Sequence, residues 1–439
     1  MAHGRFRKFA SLWLTTLAAM VALAVSAPAY AQSVDEALLR QRSDDVLAVL
    51  EGRKPAAEVF DATFLAAVSP DQLKALAAQL SERAGPLESY DQFKVEGPYA
   101  ASAMLHFARG SAPAHLVVGG GPEHLVAGYR IFALTLNDDS FARLDADFAA
   151  LPGKSGYGVF ALDTATDSAP KLIHGQDARH PFAIGSTFKL YVLAALARQV
   201  KEGQRSWSDV VPVSGKSFPG GTLHGFPDGA PVTLHTLASL MISISDNSAT
   251  DMLVRLVGQD ALAREVTLAH HAHPDALRPF LTTAQFFALK RAGPDATARY
   301  AKGSPAERAA QLSALDMRGV AEADPGAVFG RGPVAIDEVE WFASPTDLAR
   351  VMEDLRDLDS PEASAILTIN PALDAPTRQK WAYVGYKGGS EDGVISMTWL
   401  LRAPSGEWRI VTGSWNDKKA SVDEGRFQSL MLRAVKLAG

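Results

Sequence analysis

The feature that most constrains this chain is a lysine set inside an apolar helix. Lys189 stands among Phe188, Leu190, Tyr191 and Leu193, in a run over residues 186–200 that reads as one long apolar helix. Such flanks disfavour a solvated face and predict a desolvated ammonium. Two further polar interruptions follow in order. Ser245-Asp246-Asn247 falls in the break between apolar helical runs at 233–244 and 248–257, and Lys387-Gly388-Gly389 closes a strand-like run over 381–387. The Ser186-Thr187-Phe188-Lys189 motif alone carries little, since a chain of 439 residues holds about one Ser-x-x-Lys by chance. The ordered set of three carries much more.

The residues suit nucleophilic chemistry. Ser186 begins its helix, where backbone N–H groups are free and the helix dipole is positive, so its own N–H is available to an oxyanion. Lys189 lies three residues on, on the same face. Serine is a poor nucleophile until a base takes its proton, and a desolvated lysine of depressed pKa can take it. Ser245 is placed to relay a proton to a leaving nitrogen, and Asn247 to bond a substrate amide. The plainer role of their loop, capping the next helix, is compatible with both. Lys387 would meet a substrate carboxylate, while Gly388 and Gly389 would let a substrate backbone approach.

Around these motifs the chain reads as a leader and two regions. Arg5, Arg7 and Lys8 precede an apolar stretch over 12–25, and Ala29-Tyr30-Ala31 predicts cleavage near Ala31 and a periplasmic or secreted protein. No later segment is apolar enough for a stable membrane anchor, and the absence of cysteine excludes a lipid-anchored lipoprotein and a disulfide scaffold. The net charge of −6, without a basic stripe, argues against nucleic acid as a partner. Residues 32–145 predict a small α+β domain. It has helices near 34–50 and from Ser69-Pro70, then strands at 90–95, 101–107, 115–118 and 124–132, with Gly119-Gly120-Gly121 as a hairpin turn. Residues 137–154 read as a polar crossing. Residues 150–439 predict a serine-hydrolase domain: strands at 157–163 and 171–174, a helical block, and strands at 381–387, 394–402 and 408–415. Turns are expected at Gly388-Gly389 and Pro404-Ser405-Gly406, and a last helix spans 423–437. This is a five-stranded antiparallel sheet flanked by helices.

Residues 156–439 resemble the penicillin-recognising serine hydrolases, class A β-lactamases most closely. The longer chain is similar to the subgroup with an added α+β domain that includes a β-lactamase-like esterase of clavam biosynthesis. The resemblance implies an acyl-enzyme on Ser186 and an oxyanion held by the N–H groups of Ser186 and Ser390, with no cofactor. Two departures stand out. Class A enzymes carry a water-activating glutamate in a Glu-x-x-Leu-Asn loop, but residues 266–283 hold no glutamate and only Asp275 as a carboxylate. The threonine of the usual Lys-Thr-Gly is Gly388. Glu338 and Glu340, at the end of an insertion over 291–336 expected to extend the helical lobe, have no spacing argument as substitutes. His270, His271 and His273 lack the spaced further ligands of a zinc site, so no metal is expected. The reading is an exported hydrolase opening a small β-lactam or related ester. A D-Ala-D-Ala peptidase and a slow-turnover binder or esterase stay open as alternatives, as does the oligomeric state.

Overall fold

A computed structural model describes residues 35–132, 134–162, 169–217, 219–317 and 332–439. The leader and its cleavage site lie outside the described residues. The chain divides into two compact units, 1–140 and 141–439.

In the first unit, helix α1 (Glu36–Leu50) is capped by Asp35, and α2 (Ala62–Ala67) is capped by Asp61. Helix α3 (Pro70–Ala84) starts at Ser69 with a reciprocal capping box to Gln72, as the Ser-Pro signal predicts. Strands β1 (Leu87–Gly97), β2 (Ala100–Phe107), β3 (Gly110–Val118) and β4 (Val126–Ile131) form an antiparallel meander, with β5 (Thr135–Leu136) on β3. Along β3 burial alternates strictly, so Ala112, Ala114, Leu116 and Val118 face the core. Leu39, Val46 and Leu73 of the helices close over Leu116 and Val118. The triple glycine follows β3, and Gly119 N–H reaches Leu125 O in the connection to β4.

The second unit opens with α4 (Phe141–Ala149) inside the stretch expected as a polar crossing. Its helix holds because Leu144 and Phe148, four apart, bury one stripe. Strands β6 (Lys154–Leu162) and β7 (Lys171–Gln176) follow, then β8 (Phe182–Ala183) and a single 3₁₀ turn, Gly185–Phe188. Helix α5 (Lys189–Lys201) leads to a small ribbon of β9 (Val210–Pro212) and β10 (Pro231–Thr233). Helices α6 (Leu234–Ser243), α7 (Asn247–Val257), α8 (Gln259–Leu268) and α9 (Thr283–Arg291) form the helical block. The insertion continues it as α10 (Pro294–Lys302) and α11 (Pro305–Ser313), and part of the remainder lies outside the described residues. Strand β11 (Phe342–Ala343) pairs with β8. It leads to α12 (Pro345–Asp357), α13 (Pro361–Thr368) and the short α14 (Ala375–Arg378). Strands β12 (Tyr383–Glu391), β13 (Val394–Arg402) and β14 (Trp408–Asn416) and helix α15 (Glu424–Leu437) close the chain.

The main sheet is antiparallel in the order β12-β13-β14-β6-β7. Its central strands are buried on both faces, and alternation sorts their side chains between two cores. Leu400 and Ile410 join α5, α7 and α12 on one face, while Trp399, Leu401 and Val411 join α4 and α15 on the other. The expected turn at Gly388-Gly389 is corrected. Both glycines lie within β12, and the chain turns at Asp392-Gly393, where Gly393 has φ +80°. An Asp-Gly pair suits a two-residue turn better than an interrupted ladder does. Among the described residues, strand β12 therefore runs on as the edge of the sheet past the lysine.

Candidate active site

Three elements build the site around α5. Helix α5 is sealed in the core, and Lys189, on its first turn, is 0% exposed. Its ammonium nitrogen finds partners in the Ser-Asp-Asn loop. Nζ lies 2.8 Å from Ser245 O, 3.0 Å from Ser245 Oγ and 2.8 Å from Asn247 Oδ1. From the other side Lys387, also buried, brings its Nζ to 3.1 Å from the same Ser245 Oγ. One hydroxyl thus bridges two lysines.

That arrangement decides the protonation chemistry. Burial pushes Lys189 well below the usual lysine value, and the charge of Lys387 pushes it further. Burial lowers Lys387 to about 7. A neutral Lys189 has two N–H bonds and a lone pair. Ser245 O and Asn247 Oδ1 can only accept, so they take both N–H groups and the lone pair is left for Ser245 Oγ–H. The oxygen of that hydroxyl can then accept from the Lys387 ammonium.

The loop is held for this purpose. Ser245 sits at φ +57°, a left-handed conformation that side chains rarely adopt, and it needs surrounding bonds to persist. Asp246 supplies them: one oxygen caps Ala249 N–H at 2.9 Å and the other accepts Leu223 N–H at 2.7 Å. The N–H groups of Asn247 and Ser248 both reach Gly220 O. Asn247 orients the lysine from within: its Oδ1 accepts from Lys189, and one N–H of Nδ2 donates to Pro219 O at 2.9 Å.

Ser186 is half-buried on the 3₁₀ turn. Lys189 does not take it as a hydrogen-bond partner, because its three contacts go to the Ser245 loop. The Ser186 N–H belongs to the turn that a helix start leaves without intrahelical partners. Strand β12 passes directly against it. A Cβ on Gly389 would collide with Ile184 O and Ser186 N and come within 2.6 Å of Thr187 N. A glycine is required here by the protein's own backbone. A Cβ on Gly185 would likewise stand 3.1 Å from Ser390 N.

Register shows where Ser390 N–H points. Glu391 and Val394 close the two-residue turn, so they form the bonded pair, and Ser390 opposite Ile395 belongs to the alternate, outward pair. Its N–H leaves the edge of β12 beside the Ser186 turn, while its side chain faces Glu424 on α15. The site thus brings together Ser186, Lys189, Ser245, Asn247, Lys387, Gly389 and Ser390. At Gly388 a Cβ would run into the Tyr386 hydroxyl, which fills the space a side chain would take there.

Asp275 is three-quarters exposed and faces Arg278. His271 is buried against Phe342 O and holds β11, and the described residues contain no cluster suited to a metal ion. Glu338 accepts from Thr297 Oγ1 at 2.6 Å. Sequence reasoning gave Glu340 no role and missed Glu391 and Lys290 altogether. Lys290 and Glu391 form an ion pair, with Glu340 against the same carboxylate. Their separation along the chain leaves no local signal.

A buried lysine just after the Ser186 turn, a second serine between two lysines and the edge of β12 lie together on a β-lactamase-like fold. The sequence model of the beta-lactamase enzyme family matches residues 142–364, and the chain belongs to that family. Among solved structures it is similar to a β-lactamase from Sphaerobacter thermophilus at 21% identity, over 68% of this chain and 97% of that one, with a TM-score of 0.45. It is similar to a β-lactamase from Chitinophaga pinensis at 14% identity, over 67% and 97%, with a TM-score of 0.43. PBP-A matches at 16% identity, over 67% and 94%, with a TM-score of 0.42. No curated protein matches the chain.

Proposed function

We propose that this protein is an exported active-site-serine hydrolase that opens β-lactams, or related strained esters and amides, through an acyl-enzyme on Ser186. The observation that carries the reading is Ser245 Oγ held between Lys189 and Lys387. Ser186 Oγ attacks the carbonyl carbon and its proton passes to the Lys189–Ser245 pair. The oxyanion accepts from Ser186 N–H and Ser390 N–H, each such donor typically contributing about 3 kcal/mol to the transition state. As the C–N bond breaks, Ser245 Oγ–H protonates the leaving nitrogen and recovers a proton from the lysines. Lys387 anchors a substrate carboxylate along the β12 edge.

Release of the acyl group is the slower half of this reaction. The carboxylates whose charges act on Lys189 are Asp251 and Asp246, and both are engaged in structure. Asp251 is fully buried and accepts Thr283 N–H, Thr283 Oγ1–H and Ala284 N–H at the start of α9. Neither is free to activate water. The test is a chromogenic cephalosporin followed with intact mass spectrometry. The expected result is a stoichiometric adduct on Ser186 that outlives its formation, absent in Ser186→Ala. Turnover surviving in that variant would refute the assignment. Cleavage of D-Ala-D-Ala peptides in place of the cephalosporin would favour a peptidase.

A further inference from the structure

Behind the oxyanion strand lies a second buried charged cluster that the acylation chemistry does not use. Lys290 on α9, its side chain 0% exposed, pairs with Glu391, the residue after Ser390. Glu340 is buried and hydrogen-bonds the same Glu391 carboxyl. Its Oε2 accepts Trp341 N–H at 2.9 Å, while Oε1 finds no donor among the described residues. Two carboxylates in contact in a buried site with one cation cannot both ionise. The neutral arrangement is one ammonium, one carboxylate and one carboxylic acid. An ion pair holding α9 to the sheet needs only Lys290 and Glu391, so the second, buried acid calls for another role.

The cluster touches both walls of the gap between Ser186 N–H and Ser390 N–H. On one wall, Glu391 ends the outward-facing stretch of β12. On the other, Trp341 O accepts Ile184 N–H at 3.0 Å, and the Trp341 ring stacks on Phe188 of the seryl turn at 3.7 Å between centroids. Phe286 stacks on Trp341, and Lys290 Nζ lies 4.2 Å from the Phe286 centroid. Glu340 is the link between the two walls.

We propose that Glu340, with Glu391 and Lys290, is a positioning residue for acylation: a proton shared between the two carboxyls ties the end of the oxyanion strand to the segment that carries the seryl turn, and so sets the width of the oxyanion gap. The proposal rests on the acyl-enzyme reading above. Burial and the Glu391 charge keep the proton on Glu340, against the pull of Lys290. Ionisation of Glu340 sets a buried carboxylate against the half-buried one of Glu391 beside that gap.

The test compares wild type, Glu340→Gln and Glu340→Ala. It uses three readings: Ser186 acylation by a fluorescent penicillin under single turnover, affinity for an arylboronic acid, and melting temperature. The amide of Gln can still donate to Glu391, so this variant is expected to stay within about threefold of wild type at pH 7 and to lose any fall in rate that wild type shows at high pH. The Ala variant is expected to acylate between about 10- and 100-fold more slowly at saturating substrate. Its boronate affinity falls by the same factor, because the tetrahedral adduct places an oxygen in the gap. The substrate concentration at half-saturation stays unchanged. If Glu340→Ala does not fold, Glu340→Asp, one methylene too short, is expected to show the same split at several-fold size. Equal acylation and boronate affinity in folded Gln and Ala variants would overturn the proposal while leaving the acyl-enzyme reading intact. A wild type that forms no adduct would overturn that reading and this one with it.

Discussion

Lys189 and Lys290 are both buried lysines on helices, and they differ in what faces them. Lys290 pairs with a carboxylate and lies over the Phe286 ring, so its charge is compensated. Lys189 faces a carbonyl, an amide oxygen and a hydroxyl, with another lysine beyond the hydroxyl. The first environment stabilises an ammonium and the second disfavours one. An ammonium with a carboxylate partner is structural, and one surrounded by neutral oxygens is poised to be a base.

The sharpest way to break this contrast is to replace each lysine by methionine. Lys189→Met is expected to lower the Ser186 acylation rate by about a thousandfold or more while leaving the melting temperature unchanged or raised, since it removes a desolvated amine. Lys290→Met is expected to destabilise the protein by about 3 kcal/mol, because it leaves the half-buried Glu391 carboxylate beside the buried Glu340 without a cation, as urea unfolding would show. If both variants lost stability alike, the contrast would be wrong.

Gly389→Ala comes next. Its Cβ would press on the Ser186 turn, so acylation is expected to fall about a hundredfold, with a stability loss of about 1–3 kcal/mol. A fully active alanine variant would show that β12 does not pack against the seryl turn. Lys387→Met is expected to raise KM for a carboxylate-bearing substrate about tenfold, with little change for a neutral ester. Lys387 is charged below about 7, so in wild type the affinity for the anionic substrate should fall as pH rises through that value. A flat KM profile across pH 6–8 would remove Lys387 from substrate binding.

The smallest effects are on stability against pH, and they carry opposite signs for the two clusters. Lys387 is lowered on folding, so between about 7 and 10.5 the unfolded chain binds more protons and stability rises with pH. Glu340 is raised above 4.5, so above that value the folded protein holds the extra proton and stability falls as pH rises towards the shifted value. Glu340→Gln should remove the fall and leave the rise, at up to about 1.4 kcal/mol per pH unit. Urea titrations from pH 5 to 9 that gave parallel curves for the two proteins would contradict this.

Much of the fold was readable because it rests on local rules. Ser69 and Thr233 cap the helices that their patterns announce, and the alternating β3 and the β-rich, continuously buried β13 appear as strands. Helix α4 was missed because its apolar stripe is only two buried residues deep in a polar segment. The turn after β12 was misplaced because glycine signals both a turn and a close approach of backbones, and only a neighbour tells them apart. At Gly389 that neighbour is the seryl turn, about two hundred residues earlier in the chain.

The sequence by itself determined the chemistry available: a serine at a helix start, a lysine with apolar flanks, a polar loop between apolar helices and a lysine closing an apolar strand. These are properties of short segments, and helical and strand periodicity suffices to reveal them. Only the tertiary structure decided how they combine. Lys189 turns to Ser245 and Asn247, Asn247 serves the lysine, and Glu340 meets Glu391. Those choices depend on which partners lie within bonding distance after the chain has packed, and no local pattern encodes a contact between residues so far apart.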